Sequence, residues 1–303
     1  MSSQPPQTKN LFALKLRMLY HTAIMKHKLL TAIIVALLTP FPLQAAPVLP
    51  LNLMESRPHD ASLYTQGLFF FQESLFESAG LYGKSSISRW SFEKGAPPKC
   101  QSGKSLGAKF FAEGSTEANG EIYLLTWKEE TGFVFDPATL MEKRRFKYEG
   151  EGWGLAWDGR NLWRSDGSSR LYPHQAGDFA PAGEPLTVRD EGREVAYLNE
   201  LEWDPLTGLM LANVYGQDLV AAINLKNGEI VFWLDGRPLR GLAEKAGLTD
   251  TGQPFDTVLN GLALSKDGLW LTGKLWPRLY LAVWPPEEAK ELLKTADIPK
   301  LGN

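Results

Sequence analysis

The sequence predicts an all-β fold, a five-bladed β-propeller, from three observations. The 303 residues include 28 Gly, 20 Pro and 10 Trp, which is typical of many turns that join short elements. A short residue pattern occurs five times along the chain. The copies lie about 50 residues apart, close to the length of known propeller blades. A β-sandwich is the alternative fold, but it does not require such a regular repeat.

Each copy of the pattern opens with a short segment whose second residue is glycine or glutamate. The five segments are Gln66-Gly67-Leu68, Glu113-Gly114-Ser115, Trp153-Gly154-Leu155, Asn199-Glu200-Leu201 and Asn260-Gly261-Leu262. An apolar run begins 8 residues after each glycine and 9 residues after Glu200, at Leu75, Ile122, Leu162, Leu209 and Leu269. Turn dipeptides such as Asn119-Gly120 lie between the two parts. We expect the opening segments to be the innermost strands and the runs to be their hairpin partners.

A third strand-like run completes most copies. It covers Ile87–Phe92, Gly132–Asp136, Leu219–Leu225 and Leu279–Trp284. The stretch Leu239–Val258, between the fourth and fifth copies, breaks the spacing. We expect a loop there that contains a short helix over Leu242–Ala246.

The N-terminal region has the features of a signal peptide over residues 25–46. Lys26 and Lys28 precede the apolar stretch Leu29–Leu38, and small residues precede Pro47. Because a membrane-spanning helix needs about 20 apolar residues, we expect no stable membrane anchor. Cleavage after Ala45 or Ala46 would release one propeller domain over residues 47–303, exported to the periplasm or secreted. Residues 1–24 form an upstream extension whose start is doubtful.

Composition argues against several classes of function. Residues 1–45 carry five basic residues and no acidic one, so the rest of the chain has a formal charge of −8. A body this acidic is a poor partner for nucleic acid. Cys100 is the only cysteine, and the four histidines are far apart in the sequence. We therefore expect no disulfide, no metal site of Cys or His ligands, no cofactor, and a monomer.

The repeat brings a mixed set of side chains to one mouth of the central channel. The first residues of the five segments are Gln66, Glu113, Trp153, Asn199 and Asn260, and equivalent positions near the ends of the second strands hold Gly80, Trp127, Gly167, Tyr215 and Lys274. Because innermost strands line the channel, these residues should converge. The mixture of one carboxylate, one ammonium group, carboxamides and aromatic rings is more than a structural ring requires.

Each of these residues also has a structural interpretation. Glu113 taken alone would be a solvated surface glutamate, and Lys274 could pack its stem on Trp276. The amides could satisfy backbone groups at strand ends, and the tryptophans could pack between blades. Convergence at one mouth of the channel favours the functional interpretation.

Nine ordered motifs resemble those of the plant and bacterial glutaminyl-peptide cyclotransferases. The motifs are Tyr64–Leu68, Glu77–Gly83, Phe111–Gly114, Leu125–Lys128, Gly150–Leu155, Ser165–Ser168, Leu198–Glu202, Val258–Gly261 and Leu271–Pro277. The resemblance implies a five-bladed propeller that converts the N-terminal glutamine of peptides or proteins into pyroglutamate and releases ammonia. It places the acid/base glutamate on Glu113 and substrate contacts on Gln66, Phe111, Trp127, Trp153, Asn199 and Lys274.

The chain departs from the pattern of this family at three positions. Tyr64 stands where the family usually has Phe, Tyr215 where it usually has Trp, and Ala79 where it usually has Thr or Ser. Tyr64 and Tyr215 would alter the wall of the substrate pocket, and Asn260 completes the polar ring. Substrate preference is therefore the property that these departures affect.

The residues suggest how such a reaction could proceed without a metal ion. Glu113 would accept a proton from the α-amine and deliver it to the leaving nitrogen. Lys274, together with Gln66 or Asn199, would bind the developing oxyanion. The aromatic side chains of Phe111, Trp127 and Trp153 would hold the glutamine in its bent form.

Two other functions are alternatives. An exported, non-catalytic propeller could bind peptides or glycans in its central channel. A propeller hydrolase, such as a lactonase or an esterase, usually holds a catalytic calcium with several converging carboxylates. The repeat brings only one carboxylate, that of Glu113, to the ring, which makes the hydrolase the weaker alternative.

Overall fold

Five mainly antiparallel sheets of the computed structural model, which describes residues 45–253 and 255–298, follow one another around a central axis. The innermost strands are β3 (Thr65–Phe71), β7 (Ala112–Ala118), β11 (Leu155–Trp157), β17 (Leu198–Asp204) and β21 (Leu259–Ser265). Each contacts the innermost strand of the next sheet, and β21 contacts β3, so the ring closes. The prediction of a five-bladed β-propeller is confirmed.

The first three blades each consist of four consecutive strands. Blade 1 adds β4 (Ser74–Ala79), β5 (Ser86–Ser91) and β6 (Lys99–Ser105) to β3. Blade 2 adds β8 (Glu121–Thr126), β9 (Thr131–Phe135) and β10 (Glu142–Lys147) to β7. Blade 3 adds β12 (Leu162–Ser165), β13 (Arg170–His174) and β14 (Leu186–Thr187) to β11. A small hairpin of β15 (Arg189–Asp190) and β16 (Arg193–Glu194) follows.

The last two blades are completed by strands from the beginning of the described chain. Blade 4 adds β18 (Leu209–Val214), β19 (Leu219–Asn224) and β20 (Ile230–Asp235) to β17, and β1 (Val48–Pro50) pairs with β20 in parallel. Blade 5 adds β22 (Gly268–Gly273) and β23 (Arg278–Ala282) to β21. Its outer strand is β2 (Leu53–Pro58), which joins the two ends of the propeller.

The apolar core is divided into five clusters, one between each pair of neighbouring blades. Side chains alternate between the two faces of a strand, so Leu209 and Leu211 pack toward blade 5 while Met210 and Ala212 pack toward blade 3. Both faces of such a strand are buried. This explains why the inner strands read as continuous apolar runs in the sequence.

The glycines of the repeat allow the innermost strands to approach one another closely. A Cβ atom at Gly154 would overlap the carbonyl oxygen of Asn199 in the next blade. A Cβ atom at Gly67 would lie 2.5 Å from the backbone nitrogen of Ser115. The repeated glycine therefore marks the positions where one innermost strand crosses the next.

The two helices found in residues 45–253 and 255–298 lie outside the blades. Helix α1 covers Arg237–Lys245, so the prediction of a helix over Leu242–Ala246 is correct in kind and wrong in its bounds. Pro238 in the first turn is the start signal that sets the true beginning. Helix α2 covers Ala289–Thr295. Neither helix is long and apolar enough to cross a membrane, and this holds for the whole described part of the chain.

The predicted upstream extension (residues 1–24) and most of the predicted signal peptide lie outside the described residues. Only Ala45 and Ala46 of the predicted signal peptide are described. The domain boundaries at these positions stay predictions.

Candidate active site

A cavity of about 310 Å³ opens at the end of the propeller where the innermost strands begin. Nine of the ten predicted site residues line it: Tyr64, Gln66, Phe111, Glu113, Trp127, Trp153, Asn199, Tyr215 and Lys274. Two further residues, Leu81 and Asp256, complete the lining. The tenth predicted residue, Asn260, is buried behind this surface.

A β-bulge turns the second residue of the innermost strand toward the cavity. The pairing register shifts between Thr65 and Gly67 in blade 1, and between Ala112 and Ser115 in blade 2. Equivalent shifts occur at the beginning of β17 and β21. A bulge re-aims a side chain without breaking the rest of the ladder. The same local irregularity therefore presents Gln66, Glu113 and Asn199.

Glu113 is a buried carboxylate, 5% exposed, that is fixed by a short chain of amides. Its Oε1 accepts a hydrogen bond of 3.1 Å from Gln66 Nε2. Asn260 Nδ2 donates to Gln66 Oε1 at 3.3 Å and to the carbonyl oxygen of Thr65 at 2.9 Å. Asn260 thus satisfies a strand-end carbonyl and also holds Gln66. Glu113 Oε2 receives no hydrogen bond from the described residues.

The surroundings of Glu113 favour its protonated form. Burial raises the pKa of its carboxyl group well above the usual value, and the charge of Lys274 offsets part of this rise. The negative charges of Glu151 and Glu129 raise the pKa further. Of the two opposing effects left open by the sequence, burial is the larger.

Lys274 is a buried ammonium group, 4% exposed, between two phenol rings. Its Nζ lies 4.7 Å from the ring centroid of Tyr64 and 5.1 Å from that of Tyr215. Within the described residues it has no hydrogen-bond acceptor and no ion-pair partner. Burial lowers the pKa of Lys274 to about 8, although the charges of Glu113 and Asp256 act in the opposite direction. Its protons are therefore available to a ligand in the cavity.

Asn199 supplies a second free donor. Its carbonyl oxygen accepts a hydrogen bond of 2.7 Å from Ser165 Oγ, which fixes the backbone. The side chain is buried and lines the cavity, and it makes no hydrogen bond to the described residues. The amide of Gln66, in contrast, is already engaged by Glu113 and Asn260.

Aromatic rings form the walls of the cavity. The rings of Phe111 and Trp127 pack edge to face with centroids 5.5 Å apart, and those of Trp153 and Tyr215 with centroids 5.7 Å apart. Two positions of the repeat without a side chain make room for them. Gly80 adjoins the ring of Phe111, and Gly167, with a φ of +80°, adjoins the ring of Trp153. Any side chain at these two glycines would displace a wall of the cavity.

Glu151 orients two of these walls and was missed by the sequence reasoning. Its Oε2 accepts hydrogen bonds from the indole nitrogens of Trp127 at 2.7 Å and Trp153 at 2.9 Å. Glu151 belongs to the motif Gly150–Leu155, but it has no equivalent in the other copies of the repeat. The only sign of this contact in the sequence was that Glu151 stands two residues before Trp153.

Asp256 corrects the expectation that a single carboxylate reaches the ring. It lies in the irregular stretch before β21 and lines the same cavity as Glu113. Tyr64 donates to Asp256 Oδ1 at 3.3 Å. No group of three or more His, Cys, Asp or Glu side chains in residues 45–253 and 255–298 is arranged to hold a metal ion.

Comparisons with known proteins agree with this fold. The family model described as glutamine cyclotransferase matches residues 25–283. The glutaminyl-peptide cyclotransferase of Arabidopsis thaliana is 38% identical over 227 residues, which are 74% of this chain and 68% of that protein. The crystal structure of the Myxococcus xanthus glutaminyl cyclase superposes with a TM-score of 0.69 at 30% identity and covers 79% of this chain and 100% of that one. The chain therefore belongs to the glutamine cyclotransferase family.

Proposed function

We propose that this protein is a glutaminyl-peptide cyclotransferase, which converts the N-terminal glutamine of peptides or proteins into pyroglutamate. In this reaction the α-amine attacks the γ-carboxamide carbon, a ring C–N bond forms, and the former amide nitrogen leaves as ammonia. The names of the relatives support the proposal. The observation that carries it is the buried carboxylate of Glu113, with one unengaged oxygen, in a cavity that also holds the free donors of Lys274 and Asn199.

Glu113 is the proton carrier in this proposal. Its Oε1 is held by Gln66, which leaves Oε2 to take the proton from the attacking α-amine. The same carboxyl group then gives the proton to the departing nitrogen. Burial brings the pKa of Glu113 closer to neutral pH than the pKa of a solvated glutamate. A carboxyl group with such a pKa can act first as a base and then as an acid. Such a group contributes about 10² to 10⁴ in rate.

Lys274 and Asn199 stabilise the oxyanion of the tetrahedral intermediate. Both side chains lack acceptors within the described residues, so their protons need not leave other partners when charge develops on the carboxamide oxygen. Fixed donors in a water-poor cavity are worth more than the same donors in water. Gln66 is better suited to holding Glu113 than to binding the oxyanion.

The aromatic walls hold the substrate in the reactive conformation. Phe111, Trp127, Trp153, Tyr64 and Tyr215 would pack on the methylene groups of the glutamine side chain and bring the amine close to the carboxamide carbon. A cavity of about 310 Å³ is at the small end of the range for ligand sites. Side chains carry the proton and the charge in every step, so none of these steps requires a metal ion.

The test is ammonia release from the tripeptide Gln-Ala-Ala by the mature protein. We expect turnover that resists EDTA and falls by about 10² or more in Glu113→Gln. Glu117→Gln is the matched control, because Glu117 lies on the same strand but is not among the lining residues. Absence of ammonia from the wild-type protein, together with retained peptide binding, would favour the alternative of a non-catalytic peptide-binding propeller. Loss of activity with EDTA would contradict the metal-free mechanism.

We also propose that the protein is exported as a monomer after cleavage following Ala45. The backbone nitrogen of Ala46 lies 2.8 Å from Asp190 Oδ1, and Trp233 Nε1 donates to Asp190 Oδ2 at 2.9 Å. Cleavage after Ala45 would turn that nitrogen into an ammonium group facing a carboxylate. The intact mass of the protein recovered from the periplasm or the medium tests this position, and its size in solution tests the monomer.

A further inference from the structure

The cavity mouth carries a carboxylate that the proposed reaction does not use. Asp256 is half-buried and lines the same cavity as Glu113 and Lys274. Its Oδ1 accepts a hydrogen bond from the Tyr64 hydroxyl at 3.3 Å, and its Oδ2 accepts one from Thr251 Oγ1 at 3.1 Å. No cationic group of the described residues forms an ion pair with it. Each oxygen keeps acceptor capacity that can be directed to a ligand.

An exposed aromatic residue stands directly beside this carboxylate. Phe255 is 54% exposed, and its ring centroid lies 5.9 Å from that of Tyr215, a wall of the cavity. Its φ of +66° is in the left-handed region, which a bulky residue rarely adopts. Exposed apolar surface and an unusual backbone conformation at the edge of a cavity are both typical of a ligand contact.

The geometry of the proposed reaction determines which part of a substrate meets these groups. The glutamine must reach Glu113 and Lys274, which are 5% and 4% exposed. The remainder of the peptide then leaves the cavity toward solvent. Its second residue therefore passes the mouth, where Asp256 and Phe255 lie.

The other carboxylates near the mouth are already engaged. Glu129 accepts hydrogen bonds from the Tyr82 hydroxyl at 2.8 Å and from the backbone nitrogen of Phe111 at 3.3 Å. Glu151 accepts both indole N–H groups and lies 3.7 Å from Lys128 Nζ. Asp256, in contrast, lines the cavity at its mouth and forms no ion pair with the described residues.

We infer that Asp256, in the same part of the cavity lining as Tyr215 and next to Phe255 in the chain, is a specificity-determining residue that favours a basic side chain directly after the N-terminal glutamine. This inference rests on the proposed function. Arginine fits best, because its planar guanidinium group can pair with a carboxylate and stack on an aromatic ring at the same time. An acidic side chain at the same position would be repelled.

The experiment compares kcat/KM for three peptides, Gln-Arg-Ala, Gln-Met-Ala and Gln-Glu-Ala. The wild-type protein should prefer the Arg peptide over the Glu peptide by about tenfold or more, which corresponds to about 1.4 kcal/mol. Asp256→Asn should bring that ratio to within about threefold of unity, mainly through KM, and high salt should reduce the wild-type ratio. Asp250→Asn is the matched control, because Asp250 is exposed on the same loop and does not line the cavity.

The wild-type protein keeps the test independent of any folding defect in Asp256→Asn, because a preference for Arg that depends on this charge must weaken at high salt. Tyr64→Phe removes the hydroxyl donor and leaves the charge of Asp256, so the preference for Arg over Glu should persist. An Arg-to-Glu ratio near one in the wild type, or a ratio that Asp256→Asn leaves unchanged, would overturn the inference while turnover of Gln-Met-Ala leaves the proposed function intact. Absence of turnover of all three peptides is the distinct result that would overturn the proposed function itself.

Discussion

At the scale of single residues, burial shifts the pKa values of Glu113 and Lys274 in opposite directions. It raises the pKa of Glu113 and lowers the pKa of Lys274 to about 8. The proposed mechanism needs Glu113 without its proton and Lys274 with its proton. The pH range in which both conditions hold is therefore narrow, and activity should reveal its limits.

The first prediction concerns the alkaline limit of activity. As the pH rises through about 8, Lys274 loses the proton that stabilises the oxyanion, so kcat at saturating peptide should fall. In Lys274→Arg the guanidinium group keeps its charge, and the fall should move upward by at least about one pH unit, even if the maximal rate is lower. Lys274→Met should lower kcat by about 10² to 10³. An unchanged alkaline limit in Lys274→Arg would remove Lys274 from this role.

The second prediction separates positioning from substrate contact at Asn260. The side chain holds Gln66, which in turn holds Glu113, and it does not line the cavity. Asn260→Ala should therefore lower kcat by about tenfold or more while KM stays within about twofold, because the carboxylate is misplaced but the binding walls remain. Steady-state kinetics with Gln-Met-Ala measure this separation. A raised KM with unchanged kcat would show instead that Asn260 contacts the substrate, as the sequence suggested.

At the scale of elements, the innermost strands are joined by a side chain that no other blade provides. Glu200 lies on β17 and is buried, with 1% exposure. Its Oε1 accepts from the backbone nitrogen of Leu68 at 3.3 Å, and its Oε2 accepts from that of Leu262 at 3.0 Å. One carboxylate thus links strands of blades 4, 1 and 5. It stands where the other copies of the repeat have glycine.

The third prediction follows from the loss of this link. Glu200→Ala leaves two buried N–H groups without acceptors, and each costs about 1 to 3 kcal/mol. The free energy of unfolding, measured in urea, should fall by roughly 2 to 5 kcal/mol. Glu117→Ala, on a half-buried position of β7, is the control and should have a much smaller effect. Equal losses in the two variants would mean that the link does not stabilise the ring.

At the scale of the whole molecule, an ion pair lies where the two ends of the propeller meet. His59 follows β2, the outer strand of blade 5, and Glu77 lies on β4 of blade 1. His59 Nδ1 donates to the carbonyl oxygen of Trp276 at 2.6 Å, and Nε2 donates to Glu77 Oε1 at 3.0 Å. A carbonyl oxygen and an ionised carboxylate can only accept, so the ring makes both hydrogen bonds at once when it carries both protons. Thr65 Oγ1 also donates to the same Glu77 oxygen at 2.7 Å.

The fourth prediction concerns the pH dependence of stability. Burial lowers the pKa of His59, but the charge of Glu77 and the hydrogen bonds to Glu77 and Trp276 together raise it above 6.5. The stabilisation is therefore complete below about pH 6.5 and is lost as the pH rises through the raised pKa. His59→Gln should lower the free energy of unfolding by about 1.5 to 3 kcal/mol at pH 6 and by less at pH 9. A difference that does not change between these pH values would show that His59 carries no charge in the folded protein.

The sequence by itself determined the number of blades, the innermost strands and the ring of side chains that they present. These features are local, because each blade is a run of hairpins whose register depends on nearby turn residues and on the alternation of side chains. The same segment also carries the bulge in four of the five repeats, so Gln66, Glu113 and Asn199 could be aligned without knowledge of the structure. Seven of the nine predicted residues that line the cavity come from positions aligned by the repeat, whereas Tyr64 and Phe111 were expected from the family resemblance.

Only the tertiary structure decided which further side chains support or line the cavity. Glu151 holds two tryptophans from different segments, Asn260 lies behind Gln66, and Asp256 reaches the cavity from an irregular stretch. The carboxylates of Glu151 and Asp256 have no equivalents in the other copies, and the repeat aligns Asn260 without showing that it lies behind Gln66. These positions depend on contacts between chain segments that are distant in sequence, and such contacts are set by packing rather than by the periodicity of the chain.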